Sequence, residues 1–280
     1  MKAAACWLDL DELDEDELPN VRFISARDYV AERRLEVAGV DLFVESERLL
    51  MDLGLIDSLS FGDDSDSMGV GAFYEPERQR ITMVGRFQDQ AFEYTVMVHE
   101  MVHALQDREH DLSAWLETAR GASTDEVVGL RTVVEGPAQF AQERTGIELA
   151  ELEYEALNWR LFFEDGRTRL ATQPASERAP LRALRGVPYV YGLEEEVLSD
   201  LAERKPRWGF DRAPRSSVEV VNGKASEGLA LRLGAAYRTI WEDTLGGWVV
   251  AVGFRGSFTE RAVADWRTDR LWFVDAPNGP

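Results

Sequence analysis

The chain has 280 residues, 45% of them apolar, and a formal net charge of −21. This length and apolar content suffice for a sizeable core, built as one large domain or as two tightly packed lobes. The charge argues against a nucleic-acid partner, because a phosphate backbone binds cationic surfaces. A membrane span is not expected either, since the longest apolar stretch, residues 245–254, is too short to cross a bilayer.

Cys6 is the single cysteine, which excludes an intrachain disulfide and a metal site built from cysteines. The residues before it, 3–5, are similar to the end of a lipoprotein signal, but the apolar segment that normally precedes that site is missing. The sequence as written therefore predicts a cytoplasmic protein. A leader removed ahead of Cys6 would instead predict an exported or lipid-anchored protein.

The first predicted elements are a tail, a strand and a helix. Residues 1–20 contain a run of acidic side chains and are predicted to form an acidic, solvated N-terminal tail. Alternating apolar residues predict a strand over residues 21–24. Ser25 and Asp28 then predict the N-cap of a helix that reaches about Leu53.

Two short alternating segments, residues 72–74 and 80–84, are predicted to form a hairpin around Pro76. An exposed strand edge beside an active site can pair with an extended peptide. We expect residues 81–84 to be the strand that lies along the cleft in this way.

A helix predicted over residues 89–108 carries the most informative motif. It contains His99, Glu100 and His103, in a chain with only three histidines. Positions four apart share a helix face, so both imidazoles can reach one metal ion with Glu100 beside them. This HExxH spacing is typical of a catalytic Zn²⁺, whose bound water gives up a proton to the glutamate. The alternative is a surface helix on which two histidines flank a glutamate without a metal.

A catalytic zinc site needs a third protein ligand. The metzincin pattern would place glycine and histidine at two positions that hold Gln106 and Glu109 here, so that class is excluded. His110 is one residue away from the required position, and we interpret it as a solvated or capping histidine. The gluzincin pattern takes a glutamate from a second helix, and Glu135 is the candidate.

The helix predicted over residues 124–142 would carry Glu135 among apolar residues, where a free carboxylate is unfavourable. Metal ligation would satisfy this carboxylate. The alternative is a structural ion pair with an arginine such as Arg131 or Arg144. Pro137 lacks an amide donor and is predicted to kink this helix or to end it nearby.

The predicted elements indicate a mostly helical α+β protein. Residues 21–164 would form a core that contains both metal-binding helices, and residues 165–280 a mostly helical C-terminal lobe packed on it. A loop over residues 165–187 is long enough to be functional or mobile, and could cover the cleft. The other elements predicted after the core helices are a helix over residues 147–163, a helix over 189–203, a loop over 205–224, a mostly helical stretch over 228–251 and a strand over 271–274.

The segment HEMVHALQD at 99–107, followed by HDL at 110–112, resembles the HExxHALQDQHFDL signature of a group of bacterial and archaeal gluzincin-like proteins. Shorter similarities to the same group follow in order over most of the chain. They are GAFYEPE at 71–77 (GFYDPE in the group), VEGPA at 134–138 (VEGxA), PYVYG at 188–192 (PYxxG), APRSSVE at 213–219 (PPxSTEQ) and EDTLG at 242–246 (EDTLGE).

The resemblance implies a zincin-like fold, with a small antiparallel sheet beside the HExxH helix, and zinc-dependent hydrolysis of peptides. It also implies that Glu135 is the third-ligand residue. The chain departs from the group at Asn222 and Gly223, where the group tends to carry histidine and proline, and at Gln139, where better-known gluzincins carry an acidic residue. These departures concern the surroundings of the ligands rather than the ligands.

The favoured hypothesis is a zinc metallopeptidase whose partner is a peptide or protein substrate. Glu100 would act as general base and return the proton to the leaving amine. Tyr189, which lies in one of the similar segments, is the candidate hydrogen-bond donor to the oxyanion, and Tyr191 and Tyr237 are the other candidates. The alternative role of Tyr189 is packing. The alternatives are a catalytically silent zincin-fold binding or regulatory protein with a structural zinc, and a hydrolase of non-peptide amides or esters.

Overall fold

The computed structural model of the chain describes residues 2–8, 10–11, 13–36, 71–85, 87, 89–118, 122–172, 180–223, 238–244, 246 and 271–275. Within them, the helices are α1 (Lys2–Leu8), α2 (Ala26–Glu36), α3 (Gln90–His110), α4 (Leu112–Thr118), α5 (Thr124–Leu149), α6 (Trp159–Thr172), α7 (Pro180–Leu201) and α8 (Ser217–Asn222). The strands are β1 (Asn20–Ile24), β2 (Ala72–Glu75), β3 (Arg80–Val84), β4 (Arg238–Asp243) and β5 (Leu271–Asp275). This is a mostly helical α+β structure, as predicted.

The helix that carries the HExxH motif, α3, begins and ends at residues suited to those positions. The Asp89 carboxylate accepts a hydrogen bond from the Ala91 amide at 2.8 Å and so caps the N-terminus. The helix ends at Asp111, whose positive φ of 50° allows its amide to close the last turn. Buried residues on most sides of α3 place it between β2 and α5. The helix predicted over residues 89–108 is therefore confirmed.

The second long helix, α5, extends beyond the predicted residues 124–142 and ends at Leu149. Pro137 lies inside it, so the prediction that proline ends the helix nearby is wrong. Pro137 lacks an amide donor, but Ala138 and Phe140, which follow it, are 0% and 5% exposed. The burial of these two side chains offsets the missing hydrogen bond, and the helix continues.

Two glycines allow α5 and α7 to pack closely. A Cβ atom added at Gly192 would lie 2.7 Å from the Gly136 Cα atom, and one added at Gly136 would lie 2.9 Å from the Gly192 Cα atom. Real side chains do not tolerate backbone atoms at these distances. The crossing matters for the site, because Gly136 directly follows Glu135 in the chain.

The region predicted as a helix over residues 147–163 and a loop over 165–187 is organised differently. After α5 ends at Leu149, the chain turns through Glu151, which has a positive φ of 54°. The helix α6 then starts at Trp159 and continues into the predicted loop as far as Thr172. The next helix, α7, starts at Pro180 rather than at Tyr189. The predicted bounds of both helices and the predicted long loop are therefore wrong.

Contacts between α6 and α7 explain the helices in this segment. A Cβ atom at Gly186 of α7 would lie 2.6 Å from the Cδ2 atom of Leu170, so glycine allows the two helices to approach. The Arg167 guanidinium also lies 2.7 Å from the Glu194 carboxylate. Gly186 and Arg167 lie in the segment predicted as a loop, and here they support a pair of helices.

The sheet beside α3 is mixed, so the prediction of an antiparallel sheet is wrong for one strand pair. β2 pairs with β3 in antiparallel orientation, as the hairpin predicts, but β1 pairs with β3 in parallel orientation. β3 is central, and both of its edges are already hydrogen-bonded. Residues 81–84 therefore cannot be the strand that pairs with a substrate. Among the strands of the described residues, β2 is the edge strand that contacts α3.

The first residues of the predicted tail are part of the core. Ala4 and Ala5 of α1 are 0% and 2% exposed and pack with residues of α3 and α5. The indole nitrogen of Trp7 donates a hydrogen bond to the Thr145 hydroxyl of α5 at 3.0 Å. A solvated tail is therefore the wrong description for residues 2–8, whereas the acidic residues 14–17 are exposed as predicted.

Two predictions for the C-terminal region are also corrected. The loop predicted over residues 205–224 contains α8, because the Ser216 hydroxyl caps it by accepting a hydrogen bond from the Glu219 amide at 3.0 Å. The mostly helical stretch predicted over residues 228–251 contains β4, whose β-branched and aromatic residues favour a strand. β4 pairs in antiparallel orientation with β5, which confirms the strand predicted over 271–274.

Some predictions lie outside the described residues. They include the predicted helix beyond residue 36 and the position of Tyr237. Among the residues that the structure describes, no helix is both long enough and apolar enough to cross a membrane.

We predict that Gly192→Ala lowers the free energy of unfolding by about 1–3 kcal/mol, because its methyl group forces the α5 and α7 backbones apart. Gly146→Ala is the matched control on α5, since its Cβ atom would meet only the Thr95 side chain at 3.7 Å. That variant should gain roughly 0.5–1 kcal/mol, as expected for alanine in a helix interior. Urea denaturation measures both changes. Equal effects of the two substitutions would contradict the close crossing.

Candidate metal centre

The structure brings the three predicted ligands together. One ligand atom from each of His99, His103 and Glu135 lies within 4.8 Å of the others. The Glu135 Oε2 atom is 3.3 Å from the Nε2 atom of His99 and 3.6 Å from that of His103. The side chains are buried, with residue exposures of 6%, 9% and 8% for His99, His103 and Glu135. Such a group could hold a metal ion.

Helix geometry and helix packing create this convergence. The two histidines are one turn apart on α3, with ring centroids 4.8 Å apart. The α3 and α5 helices share a core cluster in which small residues, including Ala104 and Ala138, allow a close approach. The Glu135 carboxylate therefore reaches the histidines across the interface between the two helices.

The ion pair considered as the alternative role of Glu135 is present, in addition to the contacts of Glu135 with the two histidines. The Arg131 Nη2 atom donates a hydrogen bond to the Glu135 Oε1 atom at 2.9 Å. Only Oε2 then remains to face the imidazoles. Arg144, the other arginine considered, instead lies 3.7 Å above the ring of Tyr154. The spacing of four residues on one helix was the sequence signal for the Arg131 contact.

Buried polar atoms without hydrogen bonds indicate whether a metal ion suits this group. Among the described residues, Glu135 Oε2, His99 Nδ1 and Glu100 Oε2 are buried without a well-formed hydrogen bond. Leaving such atoms without a partner is costly. A cation bound between the two Nε2 atoms and Oε2 would satisfy the Glu135 oxygen, and two nitrogen donors with one carboxylate oxygen suit Zn²⁺.

The electrostatics of the group also favour a cation. Burial alone would raise the pKa of Glu135, but the adjoining imidazoles of His103 and His99 and the charge of Arg131 lower it well below its usual value. Burial alone would lower the pKa of His103, but Glu135 outweighs this effect and raises it to about 9. Without a metal, Glu135 is therefore ionised and His103 protonated. A divalent ion would take the place of that proton.

Glu100 lies between the histidines in sequence and is 5% exposed. Burial raises its pKa, and the charges of His103 and His99 oppose the increase. One of its oxygens accepts a hydrogen bond from the backbone amide of Tyr74 in β2. The Tyr74 hydroxyl in turn donates to the Asp107 carboxylate at 2.9 Å, which fixes β2 against α3. No sequence pattern indicated this role of Tyr74.

Tyr189 lies at the group, as its candidate role requires. Its ring stacks on that of His99, with centroids 5.9 Å apart and planes inclined by 16°. The Arg131 guanidinium carbon also lies 5.9 Å from the centre of the Tyr189 ring. Burial and the charge of Glu135 raise the pKa of the Tyr189 hydroxyl, so it stays protonated and can donate a hydrogen bond. Its rival Tyr191 is buried further along α7.

Two other polar residues, His110 and Gln139, make their contacts away from the His99, His103 and Glu135 group. His110 is exposed at the end of α3 and stacks on Phe210, with centroids 4.0 Å apart. Gln139, which stands where better-known gluzincins carry an acidic residue, donates a hydrogen bond to Glu143 at 2.9 Å. Neither residue belongs to the cluster of potential metal ligands.

Comparisons of the chain with protein-family models, curated proteins and solved structures found no match. The case for a function therefore depends on the geometry of the group itself.

We predict that the purified protein holds about one equivalent of zinc, because three protein ligands and one open position are typical of a single catalytic ion. His103→Ala should lose the ion. Glu135→Gln should lower the affinity by at least about 10- to 100-fold, since it removes the charge that binds a dication. His110→Ala is the matched control and should retain zinc. Elemental analysis and chelator competition measure these effects, and full retention by His103→Ala would contradict the ligand assignment.

Proposed function

We propose that this chain is a zinc-dependent hydrolase with a zincin-like core, and specifically a gluzincin-type metallopeptidase. The observation that carries the proposal is the position of the Glu100 carboxylate. It is buried beside a His-His-Glu group and keeps one oxygen without a hydrogen bond among the described residues. A group that only held a metal would have no need of this second carboxylate.

The roles of the residues follow from their contacts. His99, His103 and Glu135 would hold the zinc ion. Zinc supplies Lewis-acid chemistry when bound, polarising a carbonyl and lowering the pKa of water. Glu100 takes a proton from the attacking water at its free Oε2 atom and passes it to the leaving amine. Tyr189 keeps its hydroxyl proton and offers a hydrogen bond to the oxygen that becomes negative in the transition state.

The edge strand β2 supports a peptide as the substrate. Among the described strands it pairs only with β3, and its Tyr74 amide donates a hydrogen bond to Glu100. An extended peptide can add to the edge of a sheet through backbone hydrogen bonds. A peptide that paired with the remaining backbone groups of β2 would pass next to the general base, whereas the central strand β3 offers no such edge.

One observation favours a second function, a binding or regulatory protein in which the metal is a structural brace. The three ligands and Glu100 are each less than one-tenth exposed, and the group joins two core helices. A brace between α3 and α5 would show the same burial. The two functions differ in what they require of Glu100, because a brace needs no general base.

Glu100→Gln separates catalysis from bracing. The variant should retain the fold and the zinc, while hydrolysis falls by about 10²- to 10⁴-fold, the usual contribution of a positioned general base. Cleavage of a diverse peptide library, read by mass spectrometry, supplies the substrate for this comparison. Glu143→Gln, which changes a partly buried carboxylate on α5 that hydrogen-bonds Gln139, is the matched control and should keep full activity.

Two results would contradict the proposal. Equal activity of the wild type and Glu100→Gln would place the general base elsewhere. Zinc-loaded wild type that cleaves no peptide in the library would favour the brace, and a loss of stability on zinc removal, measured in parallel, would support that function directly.

A further inference from the structure

Gln106 makes two hydrogen bonds that join the helices of the metal centre. It lies one turn after His103 on α3 and is 4% exposed. Its Oε1 atom is 2.9 Å from the His103 Nδ1 atom, and its Nε2 atom is 2.9 Å from the backbone carbonyl oxygen of Val134 on α5. The oxygen and the nitrogen of the side-chain amide thus each make a hydrogen bond.

The Val134 carbonyl decides the direction of both bonds. A carbonyl oxygen only accepts, so the NH₂ group of Gln106 must face it. The Gln106 oxygen therefore faces His103, and it too can only accept a hydrogen bond. The His103 Nδ1 atom must then carry the proton. In the neutral ring this leaves the lone pair on Nε2, which lies 3.6 Å from Glu135 Oε2.

The same amide also links His103 to the third-ligand residue, because Val134 directly precedes Glu135. A shift of α5 relative to α3 would stretch the bond to Val134 and turn the imidazole. His99 differs, since its Nδ1 atom has no hydrogen bond among the described residues and its ring is instead packed against Tyr189.

We propose that Gln106 is the positioning residue of the metal centre: it fixes the His103 tautomer with Nε2 free for the metal and holds that ring in register with Glu135. This inference rests on the metal centre of the proposed function. Glutamine is suited to both tasks, since a carboxylate could not donate to Val134 when ionised. It would also add a negative charge beside Glu100 and Glu135.

The test compares Gln106→Leu and Gln106→Glu with the wild type. The leucine variant loses both hydrogen bonds, and its zinc affinity in chelator competition should fall by about 10- to 100-fold, as for other outer-shell partners of ligating histidines. The glutamate variant keeps an acceptor for Nδ1 and should recover part of that loss. Gln139→Leu is the matched control, because this glutamine bonds Glu143 on α5 and not a histidine.

The ¹⁵N NMR signals of the His103 ring provide a readout that a merely structural tie would not change. In zinc-loaded wild type, Nδ1 should be protonated and Nε2 bound, and Gln106→Leu should show exchange between ring orientations. Unchanged affinity and an unchanged ring signature in Gln106→Leu would overturn the proposal. Equal affinity losses in Gln106→Leu and Gln139→Leu would also overturn it, because the effect would then be general destabilisation.

Failure of the metal centre itself can be recognised separately. If the wild type binds no zinc, the ligand assignment fails, but the tautomer can still be read in metal-free protein at a pH where the His103 ring is neutral. A proton on Nδ1 in the wild type and a mixture of tautomers in Gln106→Leu would support the role of Gln106. The same mixture in both proteins would contradict it.

Discussion

The buried Glu135 carboxylate faces two imidazoles across the interface between α3 and α5, and the other contacts of the site support this arrangement. Glu135 and Glu100 are both less than one-tenth exposed, and Arg131 is the cation paired with Glu135 by a hydrogen bond. When both carboxylates are ionised, they and the Arg131 guanidinium leave one negative charge uncompensated among the described residues of the group, where solvation is poor. A proton on His103 can balance it, and so can a divalent ion bound by the group. This balance is the physical reason to expect a metal.

The close crossing of α5 and α7 serves the same group. Gly136 and Gly192 allow backbone contact between the helices, and each lies near a residue of the site. Gly136 follows Glu135, and Gly192 lies almost one turn after Tyr189. The crossing therefore sets the position of the carboxylate and of the tyrosine that stacks on His99. Arg131 and Gln106 then fix the atoms of Glu135 and His103 that face away from the cluster.

Local patterns predicted the parts of the structure that depend on local geometry. The spacing of His99 and His103, the cap at Ser25 and the hairpin around Pro76 are found as the sequence indicates. The convergence of Glu135 with the histidines was also anticipated, because its apolar surroundings and the gluzincin resemblance both pointed to it.

Features that depend on tertiary contacts were missed. Gly186 disfavours a helix by intrinsic preference, yet its close approach to Leu170 of α6 keeps it inside α7. The central position of β3 depends on the parallel pairing of β1, which lies far away in sequence. The bridge from Gln106 to Val134 depends on the relative position of two helices, so no spacing rule within one helix reveals it.

Anomalous scattering at the zinc absorption edge, from crystals of the zinc-loaded protein, would locate the metal directly. We expect one peak, bound by the Nε2 atoms of His99 and His103 and by Glu135 Oε2 at about 2.0–2.2 Å. A main peak at any other set of side chains, with this group empty, would contradict this expectation.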